Sequence, residues 1–181
     1  MNTTCTAHYP SPVGELLLAS DGQNLTGLWL AGQKFFAATA EKMSEENPDL
    51  AVLRQTREWL DRYFCGEKPR GGELPLAPQG SAFRQAVWKI LLEIPYGAVR
   101  TYGEIAEEIA GKNHRSGMSS QAIGGAVGHN PISLIIPCHR VVGAGGSLTG
   151  YAGGLAKKIR LLEHEGVDVS QFFIPRKGTA L

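Results

Sequence analysis

A thiol, an imidazole and a guanidinium stand side by side at Cys138-His139-Arg140. Deprotonated cysteine is the strongest nucleophile among the side chains. A free thiol, with pKa ~8.5, is mostly protonated at neutral pH and needs a base. His139 is the adjacent candidate. An apolar run, Ile132, Leu134, Ile135 and Ile136, ends at Pro137 and reads as a buried strand. Proline breaks that strand, because it cannot donate to a ladder and it restricts the residue before it. Neighbours on a strand point to opposite faces, so direct Cys138–His139 side-chain contact is not assured by adjacency. Downstream, Gly143–Gly154 carries six glycines, and its backbone can come close to whatever lies in front of the thiol.

Pro137-Cys138-His139-Arg140, with Asn130-Pro131 upstream and Gly150-Tyr151 and Glu165-Gly166 downstream, resembles the O6-alkylguanine-DNA alkyltransferases. The resemblance is strongest over Ser81–Val167 and looser over residues 1–80. It implies a DNA repair protein that takes an alkyl group from O6-alkylguanine, and O4-alkylthymine as a further candidate, irreversibly onto Cys138. In that family the histidine reaches the thiol through a water and a glutamate orients it; Glu165 stands at the matching position. By the same resemblance, Tyr102 lies by the base and can give the ring a proton. Backbone N–H groups around Tyr151, Ala152 and Gly153 can hold O6, and carbonyls near Cys138 and Val141 can read the exocyclic amine. Asn130 matches an asparagine that ties down the turn before the active segment.

The same resemblance implies that the target base is flipped out of the duplex, at an unstacking cost of a few kcal/mol. Many members fill the vacated stack with an arginine; this chain has Gln121, which can insert and hydrogen-bond the orphaned base but brings no charge. Ser120, Ala122, Gly125 and Arg140 are further candidate DNA contacts. Lys112 and Arg115, in a helix-turn-helix loop longer than in some members, are candidates for the phosphates. His114, in the same loop, is a further candidate for a phosphate contact.

The elements that must position these groups follow from pattern. Glu15–Ser20, Asp21-Gly22 and Leu25–Leu30 predict a hairpin within residues 9–30. Phe35–Lys42 reads as another short strand or a helical turn. Leu50–Phe64 predicts a helix with Leu53, Leu60 and Phe64 on one face and Trp59 and Tyr63 beside it. Glu67–Gly80, with three prolines and three glycines, reads as a linker. Ser81 caps a helix to about Glu93 that buries Phe83, Val87, Ile90, Leu91 and Ile94, and Ile94-Pro95-Tyr96-Gly97 makes a turn. Thr101-Tyr102-Gly103-Glu104 has the form of a capping box opening a helix to Ala110-Gly111. Ser119 or Ser120 caps a second short helix, Gln121–Gly128. The pair suggests a helix-turn-helix. The second helix carries Gly124, Gly125 and Gly128, each costing roughly 1 kcal/mol relative to alanine. Tight packing against another helix and a bald face for a narrow groove both account for them; in the resembled family this helix enters the minor groove. A last helix, Gly154–Glu165, is expected to bury Leu155, Ile159 and Leu162 and to expose Lys157, Lys158 and Arg160. Phe172, Phe173 and Ile174 should pack the tail, with fraying beyond.

The expected organisation is α+β. Residues 1–78 form a small mixed support domain with an antiparallel sheet, and residues 79–181 a mostly helical domain with a winged-helix-like helix-turn-helix. The chain of 181 residues is 43% apolar, as in ordinary globular proteins, with no run near the ~20 residues of a membrane span. Three cysteines without a CxxC pair argue for a reducing compartment and against a disulfide framework or a zinc site. With no signal-peptide pattern at the N-terminus, the chain reads as cytoplasmic. Cys5 and His8 are at most half a metal site. Net charge is +1, but residues 1–80 hold seven Lys/Arg against ten Asp/Glu and the remainder eleven against seven. A mildly basic second half fits a phosphate backbone without demanding one.

No cofactor is implied, for there is no P-loop or Rossmann glycine pattern. The expected partner is double-stranded DNA carrying alkylated bases, met by a monomer with no membrane involvement. Two rivals come from other classes. A protein that binds alkylated DNA without repairing it would need that cysteine absent or blocked, and Cys138 is present. A cysteine hydrolase built on Cys138 and His139 would turn over repeatedly. A regulator with this domain would need an extra cysteine-rich module, for which the chain has no room.

Overall fold

A computed structural model describes residues 4–38, 43–112 and 117–175. The chain divides into two units, Met1–Gln79 with Pro131–Ile135, and Gly80–Asn130 with Ile136–Leu181. Its fold is mixed, with a small sheet in the first unit and mostly helices in the second.

In the first unit, β1 (Thr4–Ser11), β2 (Gly14–Ser20), β3 (Leu25–Leu30) and β4 (Met43–Glu46) form one sheet in the order β3-β2-β1-β4. The expected β2–β3 hairpin is present: Leu16 pairs with Leu30 and Leu18 with Leu28, antiparallel. Its turn is built by Asp21, whose carboxylate accepts from the N–H groups of Gln23 and Asn24, while Gly22 takes φ +103°. Two strands went unread. β1 pairs antiparallel with β2, and β4 runs parallel to β1, so the sheet is mixed rather than purely antiparallel. Parallel pairing of β1 with a distant segment leaves no hairpin signal in sequence. At Phe35–Lys42 the described part, through residue 38, is a turn, with Phe35 and Ala37 at positive φ.

β2 is apolar at consecutive positions because both faces are covered. Leu17 and Ala19 cluster with Trp29, and Leu16 and Leu18 are equally buried on the opposite side of the strand. Gly27 is required beside Trp29, since a Cβ there would sit 1.9 Å from the indole Cη2. Helix α1 (Ala51–Phe64) packs on β1, β2 and β3 and buries Leu53, Trp59, Leu60 and Tyr63, as its periodicity predicts.

The segment expected to be a linker is partly structural. Leu25 N–H donates to the Pro75 carbonyl and Ala77 N–H to the Leu25 carbonyl, so Leu76 bridges the edge strand β3, and Leu74 is buried. Ile132 bridges the same strand through Leu28, while Ser133 Oγ donates to Gln33 Oε1 at 3.2 Å. Both bridges satisfy backbone groups that an open edge would leave exposed.

In the second unit, Ser81 caps α2 (Ala82–Leu92), accepting from Arg84 N–H. Trp88 Nε1 donates to the Ala126 carbonyl at 2.9 Å and joins α2 to α4 (Ser120–Gly128). The capping box at α3 (Tyr102–Lys112) is reciprocal: Glu104 N–H donates to Thr101 Oγ1 at 3.1 Å and Thr101 N–H to Glu104 Oε2 at 2.6 Å. Ser119 caps α4 by accepting from Ala122 N–H. Two short strands then do much of the positioning. β5 (Arg100–Thr101) pairs in parallel with β6 (Val141–Val142), which fixes the start of α3 beside the residues that follow Cys138. The last helix, α5 (Leu155–His164), buries Leu161, Leu162 and Lys158. No helix among the described residues is long and apolar enough to cross a membrane.

Candidate active site

The apolar run before Pro137 is not a strand. Ile132–Ile136 turns, with Leu134 at φ +68°, and Cys138-His139-Arg140 forms a single 3-10 turn. Asn130 makes this possible: its side-chain amide donates to the Ile136 carbonyl at 2.8 Å, tying together the two ends of the Pro131–Ile135 excursion directly before the thiol. A turn, unlike a strand, does not send neighbouring side chains to opposite faces. The pleat argument about Cys138 and His139 therefore does not apply.

Cys138, His139, Arg140 and Glu165 are all buried, at 3%, 0%, 8% and 5% exposure. His139 Nε2 lies 2.6 Å from Glu165 Oε1. Arg140 donates to both oxygens of the same carboxylate, Nε to Oε2 at 2.8 Å and a terminal nitrogen to Oε1 at 2.9 Å. The expected Ile94–Gly97 turn locks onto this group. The Ile94 carbonyl accepts from Arg140 at 2.6 Å, Gly97 N–H donates to Glu165 Oε2 at 3.1 Å, and the Arg140 guanidinium lies over the Tyr96 ring. Gly97 sits at φ +77°, and a Cβ there would come 2.9 Å from the Glu165 carbonyl.

The charges follow from these contacts. Burial alone would raise the Glu165 pKa, but hydrogen bonds and charge from His139 and Arg140 hold it well below the usual carboxylate range. Arg140 is always charged and supplies the counter-ion, so His139 has no need to be cationic. Burial, only partly offset by Glu165, pushes His139 below its ordinary value. A neutral imidazole beside a carboxylate puts its proton on Nε2, which leaves Nδ1 as the basic nitrogen. Nδ1 is buried and has no hydrogen-bond partner among the described residues. Burial raises the Cys138 pKa; Asn130, the charge of Lys158 and the backbone N–H groups of Cys138 and His139 pull it back.

Lys158 is the largest departure from the sequence reading. Expected on an exposed cationic face, it is fully buried, and its ammonium donates to the Val141 carbonyl at 2.5 Å and to the Thr149 carbonyl at 2.9 Å. Burial lowers its pKa to about 8, and the Cys138 charge opposes that shift. The available signal was spacing: Lys158, Leu161, Leu162 and Glu165 fall at i, i+3, i+4 and i+7, one helical stripe. Lys157 is half-buried and Arg160 exposed.

A cavity of about 610 Å³ adjoins these groups. The start of α3 lines it through Thr101, Tyr102 and Gly103, α4 through Ser120, Gln121 and Gly124, and the glycine loop through Gly143, Ala144, Thr149 and Gly150. Cys138 is not among the lining residues; Tyr102 connects the two, for it lines the cavity and feels the Cys138 charge. Burial first, then that charge, raises the Tyr102 pKa, so the phenol stays protonated, and its hydroxyl donates to the Gly150 carbonyl at 3.2 Å. Of the residues expected around a base, Val141 and Tyr151 are buried and Ala152 and Gly153 half-buried, none of them on the lining. The Tyr151 hydroxyl is buried without a partner among the described residues.

The expected DNA contacts separate into groups. Ser120, Gln121 and Ala122 are exposed at the N-terminal end of α4, and Gly125 is half-buried with open space where a Cβ would stand. Lys112 is exposed but pairs with Glu108 at 2.6 Å. Arg140 is no surface contact, since its guanidinium is committed to Glu165 and Ile94. Arg115 and His114 lie outside the described residues. No cluster of three or more metal-ligating side chains occurs among the described residues.

A family model described as the DNA binding domain of 6-O-methylguanine DNA methyltransferase matches residues 82–167, and its ribonuclease-like domain matches residues 5–78. The chain is 43% identical over 160 residues to the methylated-DNA–protein-cysteine methyltransferase of Haemophilus influenzae, covering 88% of this chain and 85% of that protein. It is 42% identical over 165 residues to the protein of that name from Methanosarcina acetivorans, covering 88% of this chain and 97% of the relative. Among solved structures, Mycobacterium tuberculosis O6-methylguanine methyltransferase superposes with a TM-score of 0.77 at 38% identity over 97% of each chain. Mycobacterium tuberculosis OGT in complex with DNA gives 0.74 at 39% identity over 94% of each. On the strength of two matched domains and these relatives, the chain belongs to the 6-O-methylguanine DNA methyltransferase family.

Proposed function

We propose that this protein repairs O6-alkylguanine in duplex DNA by moving the alkyl group onto Cys138 Sγ, once per molecule. The observation that carries the reading is the buried Cys138 beside a neutral His139, itself held by a Glu165 whose charge Arg140 balances. His139 Nδ1, which no described side chain partners, takes the thiol proton through a bridging water, as in the resembled family. The thiolate attacks the alkyl carbon in line, an S–C bond forms, and the C–O6 bond breaks with its electron pair going to the guanine. Tyr102, held as a phenol, donates at the ring so that the departing base does not leave as a free anion, and the proton taken up by His139 returns through solvent to restore the phenol, leaving no net charge in the site. The product is a thioether, which water does not readily cleave, so no step restores the thiol.

The cavity accepts a base taken out of the stack, and α4 presents Ser120, Gln121 and Ala122 to the DNA. Gln121 fills the space left by the base. The protein acts as a monomer on alkylated double-stranded DNA, and three free cysteines support a cytoplasmic setting.

Intact mass before and after incubation with a duplex carrying one O6-methylguanine tests the reading. One added methyl on the peptide holding Cys138, equal in amount to guanine restored and absent in Cys138→Ser, is expected. Lesion-selective binding without a mass change would leave a binding protein. Repeated turnover of an acyl substrate would make it a hydrolase.

A further inference from the structure

We infer that the C-terminal segment Asp168–Ile174 is a strap that positions the glycine wall of the cavity and thereby limits the size of the alkyl group accepted. The inference rests on the alkyltransferase reading and adds a specificity element outside the residues that touch the thiol.

Four observations converge on the strap. Phe173 N–H donates to the Gly146 carbonyl at 3.1 Å and Leu148 N–H donates to the Phe173 carbonyl at 2.8 Å, so one residue grips the loop on both sides of Ser147 in a parallel bridge. Its side chain is 52% exposed; what Phe173 contributes here is backbone. Phe172 points the other way and packs with Val142, Leu148 and Leu162. The chain also runs directly over Gly146, where a Cβ would meet the Gln171 carbonyl at 3.2 Å and Phe172 Cδ1 at 3.3 Å. Asp168 starts the strap by accepting from Ser170 N–H at 3.0 Å.

The loop needs such a grip. Gly145, Gly146 and Gly150 all take positive φ, and glycines lose more conformational freedom than other residues on being ordered. Within the loop, Gly143 N–H donates to the Ser147 carbonyl at 2.7 Å. The strap holds Gly146 and Leu148, on either side of that closure, while Gly143, Ala144, Thr149 and Gly150 form the wall. Released, the wall recedes. A small adduct is then held less well for in-line attack, and a large one gains room.

Single-turnover rates with O6-methylguanine and O6-benzylguanine in otherwise identical duplexes test this in two variants. One chain ends after Val167. The other carries Phe173→Pro, which removes the N–H to Gly146 and leaves Phe172 in place. The benzyl-to-methyl rate ratio is expected to rise about fivefold or more in both, chiefly by loss of methyl transfer, as misplacement of reacting groups predicts. If the shortened chain does not fold, Phe173→Pro decides alone. A ratio unchanged within about twofold, even with both rates lowered, overturns the inference, since a merely structural contribution scales both adducts alike. Absence of methyl transfer by the unaltered protein would instead overturn the alkyltransferase reading and take the strap's role with it.

Discussion

Arg140 and Glu165 form a two-pronged ion pair, with Nε at 2.8 Å from one carboxylate oxygen and a terminal nitrogen at 2.9 Å from the other. The Glu165 side chain has no solvent exposure, and the third partner, His139, has none either. This pair decides the protonation of the site. Because the carboxylate is already balanced by a permanent cation, the imidazole can sit against it uncharged and keep a free basic nitrogen.

Glu165→Gln removes that balance. It leaves Arg140 buried without a counter-ion, which costs about 3–5 kcal/mol when one partner of a buried pair is lost. It also frees the His139 ring. Urea unfolding should show a stability loss of that order, and single-turnover transfer should fall by about a hundredfold or more. A near-native unfolding midpoint would contradict the buried network.

Stability should fall in two stages on acidification. His139 is depressed below its ordinary 6.5 in the folded protein, so the unfolded chain takes up that proton first and stability drops as pH falls below 6.5. Glu165 is depressed below 4.5, so its contribution is present above 4.5 and is lost as pH falls from there toward the folded value. Unfolding midpoints between pH 8 and pH 2 should resolve both. In His139→Gln the loss just below 6.5 should vanish while the loss below 4.5 remains.

Lys158→Met keeps the volume and removes the charge that favours the Cys138 thiolate. The pH at which Cys138 becomes reactive toward iodoacetamide should move up by about one unit, the low end for loss of an opposite charge. Transfer at neutral pH should slow accordingly. An unmoved iodoacetamide profile would mean the lysine serves only to hold the carbonyls of Val141 and Thr149.

Gly125→Ala separates two accounts of the glycine-rich helix α4. A methyl there meets nothing within 4 Å, so helix stability should rise by about 1 kcal/mol. If the bald face lies against DNA, affinity for a duplex should fall despite the gain. Fluorescence anisotropy alongside thermal unfolding gives both readings on one sample. A stabilised variant with unchanged affinity would move the contact surface elsewhere.

Gln121→Arg adds a cation at the exposed N-terminal end of α4, beside the cavity. Duplex affinity should rise, and the slope of log affinity against log salt should steepen by about 0.9, one released counter-ion. An unchanged slope would place residue 121 away from the phosphates.

Much of this molecule was legible in its residues because the relevant signals are local. The Asp21-Gly22 turn, the Thr101–Glu104 capping box, the Ser81 and Ser119 caps and the α1 stripe each depend on neighbours a few positions apart, and local hydrogen bonding enforces them. The cluster Cys138-His139-Arg140 with Glu165 and Asn130 was equally visible, as a spacing matched to a family. Other features depend on segments far apart in the chain, and only the tertiary structure decided them. β4 pairs in parallel with β1 across the whole β2–β3 hairpin, and Leu76 and Ile132 close an edge strand from a distance. Arg140 looks like a surface cation in any local window, and only the stripe that Lys158 shares with Leu161, Leu162 and Glu165 sets it apart from one. Both are buried because Glu165 and the carbonyls of Ile94, Val141 and Thr149 converge on them, and a buried charge is tolerable only where such partners are already in place.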